Sequence, residues 1–129
     1  MVEATPQLRR AAAYLPVADL QRSVSYYIDS LGFREEYRGG PIFSIVSRDD
    51  HPVMLRVVEN ADRIVPNEQQ GGTWDVFFWV HDVRALNTEL KQRGAEIAYD
   101  LVYQDAYHMD ECAFRDPDGH VLGFGQERA

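Results

Sequence analysis

Val17-Ala18-Asp19-Leu20 and, 63 positions later, Val80-His81-Asp82-Val83 are two copies of one signal. Each stands after an apolar run and before a helical pattern. In the first copy Asp19 is a natural N-cap, because a short carboxylate accepts from the amides that a helix start leaves unpaired. Leu20, Val24, Tyr27, Ile28 and Leu31 then recur on one helical face, and Gly32 supplies the stop. In the second copy Asp82 caps a helix whose Val83, Leu86 and Leu90 share a face, and Gly94 ends it.

Short strand-like runs follow each helix, at 42–47 and 53–58 in the first half and at 97–101, 111–115 and 121–125 in the second. Arg48-Asp49-Asp50-His51 parallels Arg115-Asp116-Pro117-Asp118-Gly119-His120, where the proline presets one backbone angle of a tight turn and the glycine accepts another. Residues 60–72 hold Pro66, Gly71 and Gly72 among polar residues and read as an exposed connector. The chain is therefore expected to be one α+β domain over 1–129, built of two tandem βαβββ repeats at about 8–60 and about 73–126. A single helix covers only one face of a four-stranded sheet, so neither half is expected to stand alone. Two such sheets facing each other leave a cleft.

Composition sets the outer bounds. With 129 residues, 45% of them hydrophobic and 26% charged, the chain is long enough for a real core and far from the composition of a disordered segment. Its formal net charge of -8 repels phosphate backbones and anionic membrane surfaces, which excludes nucleic acid and membranes as expected partners and favours a cationic ligand. Cys112 is the only cysteine, so no disulfide within the chain and no thiolate metal cluster is expected; in its strand it reads as a small buried hydrophobe. No stretch has the apolar length of a signal sequence or a membrane span, and a cytoplasmic location is the expectation.

The doubled βαβββ order, the helix motif from Val17 to Tyr27 running into Leu31-Gly32-Phe33, and Arg115-Asp116-Pro117-Asp118-Gly119-His120-Val121-Leu122 resemble the vicinal oxygen chelate superfamily. Glyoxalase I, bleomycin-resistance proteins and extradiol dioxygenases belong to it, and the resemblance covers roughly residues 8–126. It implies four inward positions for metal ligands, one on the first and one on the last strand of each repeat. Here they fall on Ala12, on Leu55 or Arg56 depending on register, near Asp75, and on Gly123. Only Asp75 has a donor for a cation. The expectation is a fold without its metal site, with no cofactor and no assigned catalytic residue. The alternative is a glyoxalase- or dioxygenase-type enzyme with relocated ligands, drawn from Asp75, His108 and Glu111.

Strand parity then says which side chains face the cleft. If Asp75 marks that face, Phe77 and Trp79 share it, while Val76, Phe78 and Val80 turn to the helix; Tyr14 shares the face of Ala12. Phe43, Arg56, Tyr103, Tyr107, His108 and Glu111 complete the expected lining. His51, His81 and His120 read as solvated turn residues, whereas His108 and Glu111 form an acid-base pair if both face inward. An aromatic groove with a few charges suits a flat, partly cationic small molecule by stacking and cation-π contact. The resemblance adds that bleomycin-resistance proteins sequester a cationic aromatic drug between two subunits. A metal-independent small-molecule-binding homodimer is the reading that follows.

Overall fold

The computed structural model describes residues 4–129. Its first repeat runs β1 (Ala13–Val17), α1 (Leu20–Asp29), β2 (Arg34–Gly39), β3 (Phe43–Arg48) and β4 (His51–Val57). The second runs β5 (Val76–Trp79), α2 (Val83–Gln92), β6 (Glu96–Gln104), β7 (Met109–Arg115) and β8 (Val121–Glu127). The two sheets have matching orders, β1-β4-β3-β2 and β5-β8-β7-β6, and the first and last strands of each repeat lie side by side in parallel. The α+β class and the doubled βαβββ order are as the sequence predicts.

The helices begin where the caps predict. Asp19 accepts from Arg22 N at 3.0 Å and Asp82 from Ala85 N at 3.0 Å, and Gly32 and Gly94 take positive φ just past the helix ends. Leu20, Val24, Tyr27 and Leu31 are buried as expected, while Ile28 at the edge of the stripe is partly exposed. Leu15, Val17, Val53 and Leu55 meet them from the first sheet, and Cys112, Phe114, Leu122 and Phe124 from the second, so the helix-covered sides of both repeats share one core. Cys112 is fully buried and unpaired, and burial pushes its thiol up to about 11.

Polar contacts lock the repeats together. The Tyr26 hydroxyl donates to Arg115 O at 2.7 Å and accepts from Glu96 N at 2.8 Å, while Tyr27 donates to Asp116 at 2.9 Å. Arg48 forks onto Glu89, reaching its two carboxylate oxygens at 2.9 and 2.7 Å. His120 corrects the expectation of a solvated turn residue. It is 2% exposed, and since a carbonyl only accepts, its Nε2 carries the proton that it donates to Pro16 O at 2.7 Å. His51 and His81 are exposed as predicted.

The connector is pinned at several points rather than loose. Glu68 pairs with Arg115 at 2.8 Å, Pro66 is buried, and Asn67 donates its side-chain amide to Trp74 O at 2.9 Å. These contacts fix the start of β5 and with it the aromatic cluster that follows.

Candidate ligand-binding site

On the second sheet, the face turned away from the helix is built from β5, β8, β7 and β6 in that order. Parity holds as predicted: Val76, Phe78 and Val80 pack on the core, leaving Phe77 and Trp79 on the open face. Opposite Phe77 stands Gly123, and opposite Trp79 stands Gly125. Glycine in a strand marks a place where another group approaches closely. Here the indole of Trp74 and the ring of Phe77 lie over Gly123, and Phe77 with the Met109 methyl lies over Gly125, where any added Cβ would clash. Trp74, Phe77 and Trp79 form a continuous edge-to-face series with centroid separations of 4.7 and 5.2 Å.

Beside this series a hydrogen-bonded chain runs inward. Trp74 Nε1 donates to the Tyr99 hydroxyl at 2.8 Å, and Tyr99 donates to Glu111 Oε1 at 3.0 Å. Tyr107 donates to the same oxygen at 2.9 Å. Glu111 is 1% exposed, and its Oε2 has no hydrogen-bond partner in the protein. Desolvation, with the nearby carboxylate adding to it, pushes Tyr107 up to about 12 and Tyr99 well above its ordinary range. The arrangement is a buried carboxylate beneath an aromatic wall, suited to stacking and hydrogen bonding.

The expected residues therefore separate into groups. Phe77, Trp79, Tyr107 and Glu111 converge on this site. Tyr103 and His108 form their own pair, with 2.9 Å between the Tyr103 hydroxyl and His108 Nδ1, and the Arg128 guanidinium sits 3.9 Å from the Tyr103 ring centroid. His108 is thus engaged with Tyr103 while Glu111 is held by two tyrosines, and the expected acid-base pair between them is not formed. Tyr14, Phe43 and Arg56 lie on the open face of the first sheet, where Phe43 and Arg56 are cross-strand neighbours. Tyr14 and Arg56 border a shallow hollow of about 140 Å³ with Leu15, Pro16 and Val58. A larger hollow of about 560 Å³ lies elsewhere, between Gly32, Arg34 and residues 47–50 of the first repeat and Glu89 and Arg93 of the second. Its lining is charged, and Arg48 and Arg93 are already paired with Glu89.

Asp75 departs from its expected place. One oxygen accepts from Asn67 N at 3.0 Å and the other from Val121 N at 2.8 Å, so the carboxylate caps backbone amides at the foot of β5 and β8. Trp74 and Tyr99 were not among the expected lining residues, although the glycine pair at 123 and 125 was the available signal that bulky groups cross β8.

The four metal positions fail a test of fit. Ala12 has no donor, and Leu55 is in the core, so register puts the cation Arg56 on the open face. Asp75 is committed to amides, and Gly123 is covered by Trp74. The relocated set of Asp75, His108 and Glu111 is not assembled either. Among the described residues no three of His, Cys, Asp and Glu converge in a way that would hold an ion.

The model of the glyoxalase/bleomycin resistance protein/dioxygenase superfamily matches residues 8–124. The chain belongs to this superfamily. Solved structures of similar shape include TioX from Micromonospora sp. ML1, at 22% identity and TM-score 0.72, covering 93% of this chain and 99% of that one. The bleomycin-binding protein of bleomycin-producing Streptomyces verticillus, solved with copper(II)-bleomycin, matches at 22% identity and TM-score 0.72 over 97% of this chain and 100% of its own. A glyoxalase/bleomycin resistance protein/dioxygenase from Alicyclobacillus acidocaldarius reaches TM-score 0.75 at 19% identity, covering 94% and 92%. At such identities the likeness establishes the superfamily fold. No curated protein matches the chain. Among the described residues no helix is long and apolar enough to cross a membrane.

Proposed function

We propose that this chain is a metal-independent small-molecule-binding protein, bleomycin-resistance-like, that sequesters a hydrophobic or aromatic ligand without transforming it. The observation that carries this reading is the packing of Trp74 and Phe77 over Gly123, at the position where metal-dependent relatives would need a ligand. Aromatic surface has taken the place of coordination chemistry. Each stacked or edge-to-face contact with a flat ligand contributes about 0.5–1.5 kcal/mol beyond the area it buries. The bleomycin-binding relative, seen with its drug, supports sequestration as a use of this fold.

We further propose that the working form is a homodimer. Tyr14, 61% exposed, and Trp79, 70% exposed, stand on the open faces of the two sheets, where a second copy would cover them. Closed two-fold pairing is the commonest assembly of such chains. Light scattering is expected to give twice the 14.8 kDa of one chain.

The binding reading is tested by a thermal-shift and tryptophan-fluorescence screen of purified, metal-analysed protein against bleomycin and a panel of flat aromatic compounds. At 100 times its dissociation constant a binder adds about 2.7 kcal/mol to stability. Saturable binding with no divalent metal supports the reading. A stoichiometric side-chain-bound divalent ion, or the absence of any response across the panel, overturns it.

A further inference from the structure

Four acidic side chains, Asp75, Asp116, Asp118 and Glu111, are withdrawn from solvent around the second sheet, and three of them spend their oxygens on the protein, Asp118 by accepting from Ala18 N, Arg22 and Ser23. Asp75 accepts from two backbone amides, and Asp116 from Tyr27 and the amides of Asp118 and His120. Glu111 differs. Both donors to it are phenols on the same oxygen, and Oε2 has no partner. A buried oxygen without a partner is destabilising whether it is a carboxylate oxygen lacking a donor or a carboxyl hydroxyl lacking an acceptor. A ligand with N–H groups removes that cost.

Charge and walls narrow the class. Tyr99 and Tyr107 donate to Glu111, Trp74 donates to Tyr99 and Phe77 packs on Trp74, so the carboxylate has aromatic neighbours, and aromatic faces attract cations. The protein as a whole carries a net charge of -8, which draws a cation and repels an anion. Planar amidinium and guanidinium groups match a carboxylate with two parallel N–H bonds, stronger and more directional than a single ammonium contact.

Tyr107 is the more exposed of the two phenols that hold Glu111. Its ring is 45% exposed and it sits in the turn between β6 and β7, whereas Tyr99 is held by Trp74 from within the sheet. Tyr107 is thus the member of the pair with less of the protein around it. We propose that Glu111 anchors a planar organic cation bearing N–H donors, an amidinium or guanidinium, which displaces the Tyr107 hydroxyl from the carboxylate while its flat body rests on Phe77 and Trp79. This rests on the binding role proposed above and names the group by which a ligand is held.

Three isosteric probes test it on the full-length protein: benzamidine, neutral benzamide and anionic benzoate, titrated by calorimetry and by tryptophan fluorescence. Benzamidine is expected to bind at least about tenfold tighter than benzamide, as a charge-assisted bond exceeds a neutral one, with benzoate weakest. Glu111→Gln is expected to bring benzamidine to the level of benzamide, with a far-ultraviolet circular dichroism spectrum like that of the native chain showing the variant to be folded. Tyr107→Phe, which removes the competing phenol and leaves Glu111 in place, is expected to tighten benzamidine; a loss of its binding there overturns the role given to Tyr107. Benzamidine no tighter than benzamide on the native chain overturns the anchor even if Glu111→Gln fails to fold. In that case binding of benzamide or the aromatic panel keeps the sequestration reading, whereas silence from every compound removes both.

Discussion

Glu111 shows how one side chain sets the chemistry of its neighbours. Tyr107 is nearly half exposed, yet its phenol donates to a carboxylate that is shut away from water, so losing its proton would put two negative charges in contact. Its ionisation is pushed up to about 12, by desolvation first and then by the bond to Glu111. A tyrosine whose folded value lies above its unfolded one stabilises the fold fully below about 10, the ordinary tyrosine value, and loses that contribution as pH rises through the folded value. Spectrophotometric titration of phenolate absorbance is expected to show a late-ionising tyrosine that returns toward the ordinary value in Glu111→Gln. An unchanged titration in that variant would separate Tyr107 from Glu111. Part of this was legible beforehand, since alternation along β5 put Phe77 and Trp79 on one face, which Glu111 of β7 shares in the structure. The partners of Glu111 were not, because Tyr99 reaches it from a neighbouring strand whose register shifts twice, and no single-strand pattern records such a shift.

At the level of elements, the two helices were readable because cap, stripe and stop all agree within ten or so positions of each other. Asp19→Ala is expected to destabilise the protein by about 0.5–2 kcal/mol, the usual cost of an N-cap aspartate, as measured by urea unfolding. Asp82→Ala should cost a similar amount, since the two caps make equivalent bonds. β2 was the strand that no apolar run announced. Its residues Arg34-Glu35-Glu36-Tyr37-Arg38-Gly39 are mostly charged because it is an edge strand, with a register shift between Glu35 and Tyr37. Edge strands carry charge to discourage pairing with other chains, and that same device hides them from a hydrophobicity reading. Instead of an apolar stripe it is held by polar contacts, with Glu35 accepting from Ser44 at 2.6 Å and Glu36 from Arg10 at 2.7 Å. His120 was misread for a related reason. Turn composition marks a turn but does not say which of its residues points inward, and this one reaches Pro16 in the other repeat.

Across the whole molecule, the doubled pattern implies interdependence, and the structure supplies its means. Tyr26, Tyr27, Arg48 and His120 each bond across the boundary between repeats, and one core runs beneath both helices. Unfolding is therefore expected to be a single transition in which far-ultraviolet circular dichroism and tryptophan fluorescence coincide. Both tryptophans lie in the second repeat, so an early fluorescence change would reveal independent halves. Tyr27→Phe, which leaves Asp116 without its hydroxyl donor, is expected to lower stability by about 1–3 kcal/mol while keeping the transitions coincident.

The packing over Gly123 also constrains what a single substitution can introduce there. A glutamate introduced there would find the indole of Trp74 and the ring of Phe77 already in the space its own first carbon needs. Building a metal site at these positions would thus demand several replacements together, on β8, before β5 and at Arg56. On the binding role proposed above, single substitutions around β8 would reshape what the aromatic face can hold more readily than they would introduce coordination chemistry.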